Sequence, residues 1–411
     1  MKTNNNRCVK VNVMENDEKI KELLTRGVED VFVRQSLSDK LQSGKKLRVK
    51  LGFDPTGSKI HIGRAIILRK LKAFQDLGHN IIFIVGDFTA IVGDPSDKLE
   101  KRPMLTTEAI KENLKTYKKQ VGRIIDIDKA EFLFNGKWLS KLGFGEIARL
   151  AESFSVSQMA NRRNFKDRLD KGEEVSLREF MYPLMQGYDS VMVKADVEIG
   201  GFDQLFNLKA GRIIQKHFGQ PEQDILTTQM LEGMDGRKMS TSWGNVINIT
   251  DEPNDMFGKV MSVKDELIPK YFLLCTDMNT SEIERMKAEM ASARLNPRDA
   301  KLLLGEEIVK IYHGAKKARE AKRVFLDTFS HGKIPEDVQE FKATKGVSLS
   351  QCLLSAGLVS SKSEWRRLVG DTAVSIIASD GTLTKISDCN FKVEAPTVFK
   401  IGKHRFLKVV V

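Results

Sequence analysis

The strongest constraint on the fold lies between residues 47 and 85. Leu47-Arg48-Val49-Lys50-Leu51 alternates at the period of a β-strand, and Gly52-Phe53-Asp54-Pro55-Thr56-Gly57 then breaks it with two glycines and a proline. From Ile62 onward, Ile66, Leu68, Leu71, Phe74 and Leu77 supply one apolar helical face, and Gly78 is placed to end the helix. The apolar run Ile81-Ile82-Phe83-Ile84-Val85 follows at once as a second strand. Strand, helix and strand in this order make a βαβ unit, for which a right-handed parallel crossover is the rule.

The rest of the chain extends that unit. Residues 18–43 carry Ile20, Leu23, Leu24, Val28 and Val31 near one face at helical spacing, so residues 1–44 read as a packed helical leader. An α/β domain is expected over 45–250, with a mostly helical insertion at about 104–190. Strand character returns around Asp189 to Ile199, helix runs from Asp203 to His217 with Gly219 as a stop, and Ile225 to Leu231 resembles another buried strand. This alternation predicts a doubly wound, Rossmann-like parallel sheet with ligands at the strand ends. Charged amphipathic segments predict an α-helical domain over 251–330, followed by a linker at 331–346. The tail, 347–411, reads as a short helix pair and then strands such as Val374-Ser375-Ile376-Ile377, making a small α+β domain.

At 411 residues, two or three domains are the expectation. No apolar run approaches the roughly 20 residues that cross a bilayer, and the polar start lacks a signal-peptide core, so a cytoplasmic, membrane-free protein is expected. The four cysteines lack CxxC spacing and the six histidines include no pair three or four apart, which argues against a disulfide framework or a protein-bound transition metal. The net charge of +12 favours a polyanionic partner or an anionic ligand.

Two segments carry chemistry. The loop from Gly52 runs into His61-Ile62-Gly63-Arg64, placing backbone amides, the Thr56 hydroxyl and an imidazole at a positive helix end suited to phosphates. Thr56 and His61 are well placed to stabilise an α-phosphate as it becomes five-coordinate. Far away in the chain, Gly236-Arg237-Lys238-Met239-Ser240-Thr241-Ser242 joins adjacent cations to hydroxyls. Lys238 could neutralise a departing pyrophosphate while Ser240 and Ser242 donate to its oxygens. Each segment alone also fits a blander role, the first as a tight turn with a capping histidine and the second as solvated surface. No GxxxxGK[ST] occurs, which disfavours a P-loop ATPase.

These segments resemble the HIGH and KMSKS motifs of class I aminoacyl-tRNA synthetases. The chain from about 45 to 411 is similar to the bacterial tyrosine-specific family of that class, through Val92-Gly93-Asp94-Pro95-Ser96, Tyr182-Pro183-Leu184-Met185-Gln186-Gly187-Tyr188-Asp189 and Gly200-Gly201-Phe202-Asp203-Gln204-Leu205-Phe206-Asn207. The resemblance implies a tyrosine–tRNA ligase that uses ATP with Mg²⁺ and acts as a homodimer, its insertion forming much of the interface. It assigns Asp94, Tyr182 and Gln186 to the amino group of tyrosine, Asp189 to its phenolic hydroxyl and Gln204 to the vicinity of its carboxylate. It places Gly52, Asp54, Gly63, Gly201, Asp203 and Met239 around the nucleotide, and Thr56, His61, Lys98 and Lys238 at its phosphates, with Arg64 ending the first motif. The tail resembles an alpha-L RNA-binding domain in which Lys362, Arg366 and Arg367 would meet tRNA; residues 346–411 hold nine Lys/Arg against five Asp/Glu.

The match has departures. Arg64 stands where the first motif ends in histidine, Thr241 stands where the second has lysine, and Arg237 is the neighbour that could restore the lost charge. Lys50 occupies a position that often holds tyrosine, leaving Asp189 as the main visible reader of the phenol. Singly, Asp94 also fits a turn before Pro95, Tyr182 fits helix-end packing before Pro183, and Asp203 fits a helix N-cap. Three rival readings compete: a tryptophan-specific ligase, a non-catalytic RNA-binding protein on the same scaffold, and a small-molecule nucleotidyltransferase, the last disfavoured by the helical domain and basic tail.

Overall fold

The computed structural model describes residues 16–94, 106–330, 338–378, 383–402 and 405–411. The chain divides into two compact units, Met1–Asp251 with Ser262–Leu304, and Glu252–Met261 with Gly305–Val411.

The first unit is built on a six-stranded sheet. In chain order its strands are β1 (Val28–Phe32), β2 (Arg48–Phe53), β3 (Asn80–Val85), β4 (Ala130–Phe134), β5 (Val197–Gly201) and β6 (Asp224–Thr228), and in space they run β1-β6-β5-β2-β3-β4. Five strands are parallel, while β1 pairs antiparallel with β6. From β2 the chain builds outward through β3 to β4, and from β5 it builds the other way to β6. The carboxyl ends of β2 and β5 therefore flank the topological switch point, where open α/β sheets bind ligands. These two strands pair only at Val49 with Val197 and Lys50 with Glu198.

The βαβ unit forms as its pattern predicts, with Ile66, Leu68, Leu71 and Phe74 of the Ile62–Asp76 helix buried. Three readings need correction. The 18–43 segment is not one helical leader: a helix spans 16–25, Gly27 turns the chain at φ +63°, and Val28 and Val31 lie on β1. The exposed edge of β6 offers unpaired backbone groups that β1 satisfies, an attraction no local periodicity reports. The 104–190 insertion contributes β4, whose Phe132 stacks on Phe83 at 4.6 Å between centroids. Asp189 belongs to a helix, Leu177–Val193, that runs through Pro183 to Val193, so Tyr182 is not at a helix end. Strand begins only at Val197.

After β6 the chain is helical, as expected, through Pro253–Met261, Ile268–Cys275, Thr280–Ala291, Pro297–His313 and Ala315–Ser330. In the second unit Phe257 packs on Phe325, with centroids 5.4 Å apart. The tail adds β7 (Glu340–Lys342), β8 (Val347–Ser348), β9 (Val374–Ile377), β10 (Leu383–Lys385), β11 (Lys392–Val393), β12 (Thr397–Ile401) and β13 (Arg405–Val410). Five of them form the sheet β10-β9-β12-β13-β7, and β11 pairs with β8. With the helices Leu349–Ser355 and Lys362–Gly370 they enclose a core that includes Leu353, Trp365, Phe399 and Leu407. Thus β7, inside the segment read as a linker, pairs in parallel with β13; residues 331–337 of that segment lie outside the described residues. No helix among the described residues is long and apolar enough to cross a membrane.

The Leu177–Val193 and Leu205–His217 helices approach closely at Gly187. A β-carbon there would stand 2.6 Å from Ile214 Cδ1 and 3.1 Å from the Ala210 carbonyl group. Alanine is better by about 1 kcal/mol in an open helix, but overpacking costs about 1–3 kcal/mol. Gly187→Ala is therefore expected to destabilise the protein, seen as a lower urea midpoint with an unchanged m-value.

Candidate active site

A cavity of 460 Å³ opens beyond the ends of β2 and β5. Its first wall is the turn from β2 into the Ile62–Asp76 helix, lined by Gly52, Asp54, Thr56, His61, Gly63 and Arg64. His61 is the N-cap of that helix, and its Nδ1 accepts from the Arg64 backbone N–H at 3.3 Å. The capping and cavity-lining roles thus coincide. Burial, then the charges of Arg64 and Lys238, push the imidazole pKa down to about 3, so the ring is neutral near pH 7. With Nδ1 accepting, the proton of this neutral ring sits on Nε2 as a donor.

The second motif reaches the first through backbone bonds. Ile62 N–H donates to Ile247 O at 2.8 Å and Ile249 N–H to Ile60 O at 2.9 Å, just past the Gly236–Ser242 loop. A β-carbon on Gly63 would press on the His61 ring at 3.1 Å and Met239 Sδ at 3.4 Å, so glycine permits the two motifs to touch. Asn245 shapes the loop, accepting from Ser240 N–H and donating to Asp235, both at 2.8 Å. Lys238 Nζ lies 2.8 Å from Asp203 Oδ2 beside Gly201, and Met239 is buried. Ser242 falls in the 3₁₀ turn Thr241–Trp243, and Lys98 lies outside the described residues. Arg237 corrects one expectation. It pairs with Asp235 at 2.6 Å and lies over Trp243 at 4.8 Å, and it is not among the cavity-lining residues, whereas Arg64 is.

At the other end, Tyr182, Gln186 and Asp189 project from one face of the Leu177–Val193 helix because they stand four and three residues apart. Tyr182 donates to Asp54 Oδ2 at 2.8 Å, and Thr89 donates to Oδ1 at 2.7 Å. Asp54, assigned by resemblance to the nucleotide, is thus bonded to Tyr182, which the resemblance assigns to the tyrosine amino group. Asp94 accepts from Gln204 at 2.6 Å and from Asn207 at 3.3 Å, which brings those two expected residues together. Asn207 accepts in turn from Arg162, whose guanidinium lies between the Phe165 and Phe206 rings.

Asp189 is 3% exposed, with Trp138 Nε1 donating at 2.7 Å and Asn135 Nδ2 at 3.2 Å. Burial raises its pKa from 3.8 to about 7, against the opposing pull of Lys50 and these two donors. The sequence reading missed Trp138, Asn135 and Thr89, which come from distant segments without a shared motif. It also left Lys50 unassigned. Lys50 does not line the cavity; its buried Nζ donates to Gln186 O at 2.7 Å and Ser190 Oγ at 2.8 Å and pairs with Glu198 at 2.9 Å. Gln186 Nε2 donates to Glu198 at 3.1 Å, which fixes the amide with its oxygen left to accept.

In the tail, Lys362, Arg366 and Arg367 are exposed on the Lys362–Gly370 helix, whose Trp365, Leu368 and Val369 face inward. Among the described residues no three His, Cys, Asp or Glu gather as metal ligands.

This architecture, two motif-bearing segments closing on a switch-point cavity, is that of a class I synthetase, and the family model for tRNA synthetases class I (W and Y) matches residues 42–330. Tyrosine–tRNA ligase of Carboxydothermus hydrogenoformans is 44% identical over 95% of this chain and 97% of its own length, and that of Thermotoga maritima is 42% identical over 96% and 97%. The chain belongs to the tyrosine–tRNA ligase family. Its fold matches the L-tyrosine complex of the Archaeoglobus fulgidus tyrosyl-tRNA synthetase with a TM-score of 0.59 at 22% identity, covering 74% of this chain and 99% of that one. A C-terminally truncated mitochondrial tyrosyl-tRNA synthetase of Aspergillus nidulans aligns with a TM-score of 0.62 at 22% identity, over 79% and 100%.

The Asp189 environment yields a pH test. Folding raises this carboxyl's pKa, so its contribution to stability is fully present below about pH 4 and is lost as pH rises through about 7. Asp189→Asn removes the ionisation. The stability of the variant relative to the unmodified chain should increase between pH 4 and 8, by about 4 kcal/mol at most, as measured by urea unfolding at each pH.

Proposed function

We propose that the chain activates L-tyrosine with ATP in this cavity and transfers it to the 3′ end of its tRNA. One observation carries the reading: a single cavity is lined both by Asp189, held by Trp138 and Asn135, and by the His61, Arg64 and Lys238 side chains of the two motifs. Those groups suit a phenol and a polyphosphate.

In the first step a carboxylate oxygen of tyrosine attacks the α-phosphorus, the bond to the bridging oxygen breaks, and pyrophosphate leaves with the electron pair. Tyr182 Oη, Gln186 Oε1 and Asp94 accept from the substrate ammonium, and Gln204 lies near its carboxylate. Asp189 accepts the phenolic hydrogen; phenylalanine would leave the acceptor site reserved for that hydrogen empty beside the Trp138 and Asn135 bonds, a loss that can reach about 10⁴-fold in discrimination. The Nε2–H of neutral His61, the Thr56 hydroxyl and Lys238 meet phosphate charge as it develops. Asp203 and Gly201 take the ribose side, which requires Lys238 to leave Asp203 when nucleotide enters. With no carboxylate cluster among the described residues to hold it, Mg²⁺ is expected to arrive on the ATP phosphates.

In the second step a terminal ribose hydroxyl of tRNA attacks the acyl carbon and AMP departs. Binding and orientation supply the catalysis, without a covalent enzyme intermediate. The exposed Lys362, Arg366 and Arg367 are proposed to contact tRNA phosphates. Exposed Phe144, Val156 and Leu177 in the insertion support a homodimer, since a second copy would cover them. A cytoplasmic location is part of the same reading.

Purified chain with ATP and Mg²⁺ should show pyrophosphate exchange that depends on tyrosine. Exchange with tryptophan alone, or with none of the twenty amino acids, overturns the assignment. Light scattering should give the mass of two chains, and of two chains with RNA when tRNA is added. Replacing Lys362, Arg366 and Arg367 by Ala should leave the dimer intact, weaken tRNA binding at least tenfold and flatten its salt dependence.

A further inference from the structure

The departing pyrophosphate gathers the negative charge that develops in the proposed activation step, and the cations that could meet it are unevenly placed. Among the described residues that line the cavity, only Arg64 and Lys238 carry a permanent positive charge. Lys238 has a carboxylate partner in Asp203 at 2.8 Å. Thr241 also lines the cavity but is neutral, and Arg237 is turned onto Asp235 and Trp243.

Arg64 differs from all of these in what it touches. Its Nη2 donates to Thr56 Oγ1 at 2.8 Å, its Nη1 to Tyr117 Oη at 3.4 Å, and the guanidinium lies 5.1 Å over the Phe53 ring. These groups are neutral, so a half-buried cation lines the cavity with no carboxylate among its contacts within the described residues. Such a charge is costly unless an anion arrives to balance it. The residue is also held still: it sits in the first turn of the Ile62–Asp76 helix, with its planar head set by a ring and two hydroxyls. A guanidinium can fork onto two oxygens and never releases its proton.

Resting on the ligase reading above, we propose that Arg64, with Thr56 held beside it, is the catalytic cation that receives the departing pyrophosphate jointly with Lys238, in place of a second cation on the Gly236–Ser242 loop. As the bond from α-phosphorus to the bridging oxygen breaks, that oxygen takes the electron pair and Arg64 stabilises the new charge by hydrogen bonds without proton transfer. Because Thr56 accepts from Arg64, its own hydroxyl hydrogen points elsewhere and is available to the same phosphate. The charge of this step thus sits on a helix, while the loop supplies one movable lysine.

The test compares the unmodified chain with Arg64→Gln, Thr241→Lys and the double variant. Arg64→Gln should slow tyrosine-dependent exchange by about 10²–10³-fold, the loss seen when one transition-state donor is removed. It should also raise the KM for pyrophosphate while leaving tyrosine affinity, read by calorimetry, within twofold. Thr241→Lys should restore Arg64→Gln at least tenfold, because it returns a cation to the cavity lining. A folded Arg64→Gln chain with normal exchange, or one that Thr241→Lys does not rescue, overturns the proposal. Should Arg64→Gln fail to fold, Arg64→Lys decides, since it keeps the charge and loses the fork: a raised pyrophosphate KM at unchanged tyrosine affinity supports the assignment, and an unchanged KM overturns it. Failure of the ligase reading itself is distinguishable, because the unmodified chain would then show no tyrosine-dependent exchange.

Discussion

The buried Lys50–Glu198 pair, 2.9 Å apart, is the interaction on which the site depends. It joins β2 to β5 at the last residues where these strands are in register, so the crevice opens immediately beyond it. Removing two charges from water is costly, and an incomplete pair here would be a defect. Here it is complete. The Lys50 ammonium meets Glu198, the Gln186 carbonyl and Ser190 Oγ, and the Glu198 carboxylate also accepts from Gln186, Ser190 and Gln223. The Leu177–Val193 helix is thereby tied to the sheet at the turn that carries Gln186 and Asp189.

From that anchor the surroundings of Asp189 and Tyr182 are tightly bonded and those of Lys238 less so. Asp189 is locked by Trp138 and Asn135, and Tyr182 by Asp54. Such groups lose little entropy on binding and confer selectivity, because any substrate that fails to satisfy them leaves buried polar atoms unpaired. Near the second motif, Lys238 rests on Asp203 in a partly exposed pair that solvent and salt weaken, a contact suited to being exchanged. The backbone bonds from residues 60–62 to 247–249 keep that loop near His61.

Much of the fold and site was legible because its signals are local. The Ile62–Asp76 helix has a glycine-broken start and a one-sided apolar face, and Tyr182, Gln186 and Asp189 stand at helical spacing. What was not legible depends on partners remote in the chain. β1 is a strand because β6 presents an open edge, and β4 is a strand because Phe83 and β3 lie beside it. Trp138 and Asn135 carry no motif, and only folding brings them to Asp189. Arg237 looked as able as Arg64 to supply charge, until Asp235 and Trp243 held it outside the cavity.

By itself, then, the sequence determined the βαβ frame through its periodicity, and through its motifs the family, whose resemblance in turn proposes the groups that would meet a phenol, an ammonium and a polyphosphate. Tertiary structure alone decided which charges are buried and which face the cavity. Lys50 became a strut and Arg64 the cation on the wall, because solvation and pairing belong to positions in space. The same alkyl ammonium or guanidinium group is therefore a structural tie in one surrounding and a ligand-binding group in another.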